Sequence, residues 1–122
     1  MSAQQLSRIP DGFTEIPTRG PFTDVNGPIW RKSAGEGAPP KLGFLPEERH
    51  TNALGFVHGG MISTVLDSAM AHVAYDRFQC RLVTLELNVV FHNAVFRGRW
   101  ADIEVEFEEI EPEAVRLKAG LT

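Results

Sequence analysis

Residues 59–78 contain no proline and no glycine beyond Gly60, while Ile62, Val65, Leu66, Ala69, Val73 and Ala74 recur at three- and four-residue spacing. That length and period predict one long helix with an apolar stripe. The stripe needs a layer to cover it, and 122 residues supply one domain with one core. The other side of the helix carries Gly60, Ser63, Thr64, Asp67 and Ala71. Side chains this small let another backbone approach closely, and the helix of a second chain is a natural occupant.

The covering layer is legible in the flanking segments. After the helix the period changes to two: Leu85, Leu87, Val89 and Phe91 alternate with more polar neighbours, which predicts a strand over 84–92 with one apolar face. Over 101–110, Ile103, Val105 and Phe107 alternate with Asp102, Glu104, Glu106 and Glu108, so one face is core and the other is wet. The stretch Glu111-Pro112-Glu113 predicts a reversal into a strand over 115–121, whose Arg116 and Lys118 fall beside the glutamates. The first 50 residues hold seven of the eight prolines and six of the eleven glycines, so only short strands, at 28–33 and 41–45, are expected there. A helix on an antiparallel sheet follows, an α+β arrangement in two layers.

Composition removes several classes of function. A net charge of -4 from 12 basic and 16 acidic residues opposes binding to a phosphate backbone, which depends on Lys and Arg displacing counterions. A single cysteine, Cys80, builds neither a disulfide framework nor a thiolate metal cage, and as a small hydrophobe it is expected inside. Neither a signal-peptide core nor a run of about 18 apolar residues occurs. Secretion and membrane spanning are therefore not expected, and a reducing cytoplasm fits.

Chemistry concentrates ahead of the helix, at Asn52-Ala53-Leu54-Gly55-Phe56-Val57-His58-Gly59-Gly60, and within it at Asp67. A helix start ordinarily offers Ser, Thr, Asp or Asn to its first free N–H groups. Here His-Gly-Gly leaves those donors for a ligand, and a carbonyl oxygen at the positive end of the helix would have its developing charge stabilised. Asp67 among Ser63, Thr64, Met70 and Ala71 is expected to be partly buried, a candidate general base or nucleophile. Eight residues at about 1.5 Å each separate Asp67 from Gly59 by roughly 12 Å along the axis. If both act on one carbonyl, Asp67 must come from a second chain, and a twofold dimer with two shared sites is the simple solution. His50, His72 and His92 show no metal-ligand spacing, and neither a metal nor another cofactor is expected.

The pattern Asn52-x-x-Gly55-x-x-His58-Gly59-Gly60 followed by Leu66-Asp67, with Val83-Thr84-Leu85-Glu86-Leu87-Asn88-Val89 beyond it, resembles the hotdog-fold acyl-CoA thioesterases of the PaaI type. The resemblance covers 27–122 as a hotdog domain, with 1–26 as a turn-rich N-terminal extension. It implies a long central helix wrapped by a curved antiparallel sheet, a homodimer or homotetramer, and cytoplasmic hydrolysis of a small or medium, including aryl, acyl-CoA. Carried over, the Gly59 N–H polarises the thioester carbonyl while Asn52 and His58 orient the acyl group or water. Asp67 of the neighbouring chain acts as base or nucleophile, and Thr84 positions the water. Gly60, Phe56 and Met61 fall where substrate is bound. Chains of this family continue for another strand, set inside the sheet, beyond the position of Thr122. The alternatives are a non-catalytic acyl-CoA-binding module of the same fold and a truncated, inactive homologue.

Overall fold

The computed structural model describes residues 1–17 and 20–122. Its order is α1 (Ala3–Leu6), β1 (Thr14–Glu15), α2 (Pro21–Asn26), β2 (Trp30–Lys32), β3 (Lys41–Phe44), a 3-10 turn (Glu48–His50), α3 (Gly59–Phe78), β4 (Ala101–Ile110) and β5 (Val115–Leu121). The strands form one antiparallel sheet in the order β1-β2-β3-β4-β5. The predicted long helix is α3, and it buries Ile62, Val65, Ala69, His72, Val73 and Ala74. Of these, Ile62, Val65, Ala69 and Val73 meet Leu42, Phe44 and Ile103 from the inner face of the sheet, the register placing Leu42 opposite Ile103. Burial of each such side chain contributes about 1.5–3 kcal/mol before entropy is counted.

The β4–β5 hairpin is the longest pairing, and Lys118 and Arg116 reach Glu106 and Glu109 at 3.6 and 3.9 Å. These are exposed pairs and add little to stability. The acidic run is thus the wet face of a strand, as its alternation predicts.

The outer face has its own small aromatic cluster. Trp100 lies over Gly43, with Phe13 edge-on to it at 4.8 Å between centroids. A Cβ on Gly43 would overlap the indole ring, so Gly43→Ala is expected to lower the denaturant midpoint, by about 1–3 kcal/mol of overpacking. An unchanged midpoint would show that the ring swings aside freely.

Two features depart from the sequence reading. The segment expected as a strand over 84–92 forms no ladder: it pairs with no strand, and no backbone hydrogen bond of residues 80–94 occurs among the described residues. Val83 and Leu85 are more than four-fifths exposed, and Val90 and Phe91 more than half. Alternation specifies a face that wants cover, whereas a strand also needs a neighbour, and among the described residues β5 pairs with β4 alone. Cys80 is exposed rather than buried, because Gln79 takes the left-handed conformation (φ 54°) that ends α3 and turns the chain outward. The first 26 residues hold α1, α2 and the edge strand β1 as well as turns.

Candidate active site

The chain reaches α3 through a loop that bonds to itself. The side-chain oxygen of Asn52 accepts from the N–H groups of Leu54 and Phe56 at 2.9 and 3.1 Å. Its own N–H donates to the Phe56 carbonyl at 2.7 Å. Gly55 sits at the turn with φ +87°, a conformation open to glycine. Asn52 therefore shapes the loop with its oxygen and keeps its side-chain N–H groups for other partners. Phe56 stands on the outside of this loop, edge-on to Phe96 at 5.4 Å.

Below the loop His50 acts as a pin. It is 3% exposed; its Nδ1 accepts from the Glu47 N–H at 2.9 Å, its Nε2 donates to the Asn26 carbonyl at 2.9 Å, and its carbonyl accepts from the His58 N–H at 2.8 Å. Burial, then the charge of Arg49, hold its pKa below the usual histidine value. The unfolded chain therefore takes up a proton near pH 6.5 that the folded chain refuses, and stability present above that pH is lost as pH falls below it. The thermal midpoint should drop between pH 7 and 5.5, and His50→Gln should lack that part of the drop; identical slopes would exclude this origin.

His58 is the N-cap of α3, its Nδ1 accepting from the Gly60 N–H at 2.8 Å. This corrects the expectation that the first donors stand open together: His58 and Gly60 are committed to each other, since an imidazole nitrogen caps as a Ser or Asp oxygen would. The Met61 and Ile62 N–H groups bond to the His58 carbonyl. Only the Gly59 N–H among the helix's first donors has no acceptor among the described residues. A Cβ on Gly59 would sit 3.3 Å from the Phe91 ring, so the ring borders the ground beside that donor.

Asp67 is half-buried on the small-residue side of α3. Thr84 donates to its Oδ1 at 2.7 Å, so this hydroxyl addresses the carboxylate. Ser63 and Thr64 return their hydroxyls to the Gly59 and Gly60 carbonyls at 3.0 and 2.9 Å. That leaves Asp67 and Thr84 as the polar pair of this surface. Met61 lines a cleft between α2 and α3. The predicted residues thus form two groups within one chain, Asn52, Phe56, His58, Gly59 and Gly60 at the start of α3 and Asp67 with Thr84 two turns on. Sequence reasoning missed the pinning role of His50 and the approach of α2; the signal for α2 was Pro21, a residue favoured at the first helical position.

Among the described residues no group of three His, Cys, Asp or Glu side chains could hold a metal ion, and no helix is long and apolar enough to cross a membrane.

The family model of the thioesterase superfamily matches residues 54–115, which span most of the approach loop, α3 and all of β4. The chain is 26% identical to a Pseudomonas aeruginosa protein named provisionally as an esterase, over 86% of this chain and 79% of that one. It is 31% identical to the acyl-coenzyme A thioesterase THEM5 of Mus musculus over 61% of its own length, but spans only 29% of that protein. The crystal structure of thioesterase superfamily member 2 from Mus musculus superposes with a TM-score of 0.71 at 25% identity, covering 83% of this chain and 74% of the other. A phenylacetic acid degradation-related protein of Ralstonia eutropha shares the fold at the same TM-score and 17% identity, over 83% and 77% of the two chains. With the family model matching half of its length, and with one long helix packed on an antiparallel sheet, the chain belongs to the thioesterase superfamily and is a thioester hydrolase of the hotdog fold.

Proposed function

We propose that the protein hydrolyses small or medium acyl-CoA thioesters, aryl ones included, to the free acid and CoA. The observation that carries this reading is the Thr84 hydroxyl on Asp67 Oδ1 at 2.7 Å, which fixes one carboxylate oxygen and leaves the other to receive a proton from water. Water attacks the thioester carbonyl as Asp67 takes its proton. The carbonyl oxygen, negative in the tetrahedral intermediate, accepts from the Gly59 N–H at the positive end of α3. Collapse breaks the C–S bond and CoA leaves as the thiol, taking up the proton.

Asp67 and Gly59 lie roughly 12 Å apart along one helix axis. Each reaction centre therefore takes Gly59 from one chain and Asp67 from another, in a homodimer or a tetramer of dimers. The Asn52 amide N–H groups and the outer nitrogen of His58 orient the substrate or water, and Phe56, Met61 and Gly60 border it. Gly60 contributes through the room it leaves, because its N–H is held by His58. Domain limits of 1–26 and 27–122 and a cytoplasmic setting belong to the same reading. Free-thiol release from a panel of short, medium, aryl and long acyl-CoAs tests it: turnover of at least one short, medium or aryl ester is expected, and a folded protein releasing no thiol from any of them overturns it.

A further inference from the structure

The Gly59 N–H belongs to the same planar peptide unit as the His58 carbonyl, so the direction of that carbonyl sets the direction of the donor. On the helix side the unit is fixed, because the His58 carbonyl accepts from the Met61 and Ile62 N–H groups at 2.8 and 3.0 Å. On the loop side it is held one residue back, where the His58 N–H donates to the His50 carbonyl at 2.8 Å. Whatever orients the His50 carbonyl therefore bears on the aim of the Gly59 donor.

The His50 side chain orients it, and its two ring nitrogens have separate duties. Nδ1 accepts from the Glu47 N–H at 2.9 Å and closes the 3-10 turn of Glu48–His50 back onto the residue before it. Nε2 donates to the Asn26 carbonyl at 2.9 Å and fastens the end of α2. These partners require a neutral ring with its proton on Nε2. Burial to 3% exposure and the Phe44 ring, 5.0 Å away between centroids, pack the imidazole in that place. One nitrogen shapes the turn that holds His58, and the other anchors a helix.

We propose that His50 is a positioning residue for thioester hydrolysis: its Nδ1 fixes the turn whose carbonyl holds His58, and thereby aims the Gly59 N–H at the thioester oxygen. The proposal rests on the oxyanion role given to Gly59 above. Two substitutions separate the duties of the ring. An asparagine side chain carries its oxygen at the distance of Nδ1 and still accepts from the Glu47 N–H, but stops short of Asn26. A glutamine reaches Asn26 and leaves the Glu47 N–H without its acceptor. His50→Gln is expected to lower kcat about tenfold, with affinity for a non-hydrolysable thioether analogue of acyl-CoA within about twofold of wild type. His50→Asn is expected to keep kcat within about threefold of wild type, although the lost ring volume and the lost α2 anchor give it the lower thermal midpoint of the two. A packing role alone would make the loss of kcat follow the loss of stability, so kcat falling in step with the midpoint across both variants would overturn the proposal. Should His50→Asn not fold, His50→Gln decides alone, and a kcat within about twofold of wild type overturns it.

Amide hydrogen exchange distinguishes failure of this proposal from failure of the hydrolysis reading. The His58 N–H is expected to exchange about tenfold faster in His50→Gln than in wild type. If wild type releases no thiol, hydrolysis falls on that result, and the faster exchange still supports the hold of His50 on the start of α3. Exchange at the wild-type rate would overturn that hold, whatever the activity.

Discussion

Asp67→Asn should lower thiol release by about 10³-fold while the fold and the affinity for a non-hydrolysable acyl-CoA analogue stay within a few-fold of wild type. The amide is nearly the same size as the carboxylate and still accepts from Thr84 through its oxygen, so the half-buried position keeps its hydrogen bond. What it loses is the capacity to take a proton from water. A variant that turned over at the wild-type rate would remove Asp67 from the reaction. One that lost analogue binding in step with turnover would make the residue a binding group instead.

Gly59→Pro should cost about 10²–10³-fold in kcat, the loss of one oxyanion donor. The substitution deletes the backbone N–H itself, which no ordinary side-chain exchange does. Position 59 is the first residue of α3, where proline is best tolerated, and His58 before it already has φ -60° and ψ 136°, the extended conformation that a following proline requires. The ring approaches Phe91, an exposed side chain free to yield. Retained helix content with wild-type kcat would exclude this N–H from catalysis. If the two residues act across a chain interface, mixing the two inactive variants should restore activity to about a quarter of wild type, because half the dimers are hybrids with one intact site of two. Absence of recovery on full subunit exchange would place both residues in one chain's site.

Much of this architecture was legible because it follows simple periods. Residues 59–78 carry an apolar stripe at helical spacing opposite a row of mostly small side chains, 101–110 and 115–121 alternate apolar with polar, and the three fold as α3, β4 and β5 over those limits. The prolines and glycines of the first 50 residues marked off β2 and β3 correctly, but concealed α1 and α2, which are too short for a period to emerge. Ser2 and Gln5 form a capping box, and that pattern was the available signal for α1. The 84–92 segment has the alternation of a strand and lacks the neighbour, which no pattern within the segment encodes. At the candidate site, residue identity singled out Asn52, His58, Gly59 and Asp67 as candidates, but whether each polar atom is available depended on partners. His58 occupying the Gly60 N–H and Thr84 addressing Asp67 are both three-dimensional facts.

The unpaired segment also bears on how the protein behaves in concentrated solution. From Asn88 to Phe96 there is no acidic or strongly basic side chain, and the nearest charges that could act as gatekeepers are Glu86 and Arg97. Within it, residues 88–94 carry Val89, Val90 and Phe91 on backbone that makes no backbone hydrogen bond among the described residues, a combination that templates strand stacking between molecules. Colloidal behaviour is therefore set by how continuously the 88–96 window is covered, and a charge introduced at Val90, already 74% exposed, is the direct way to weaken its stickiness.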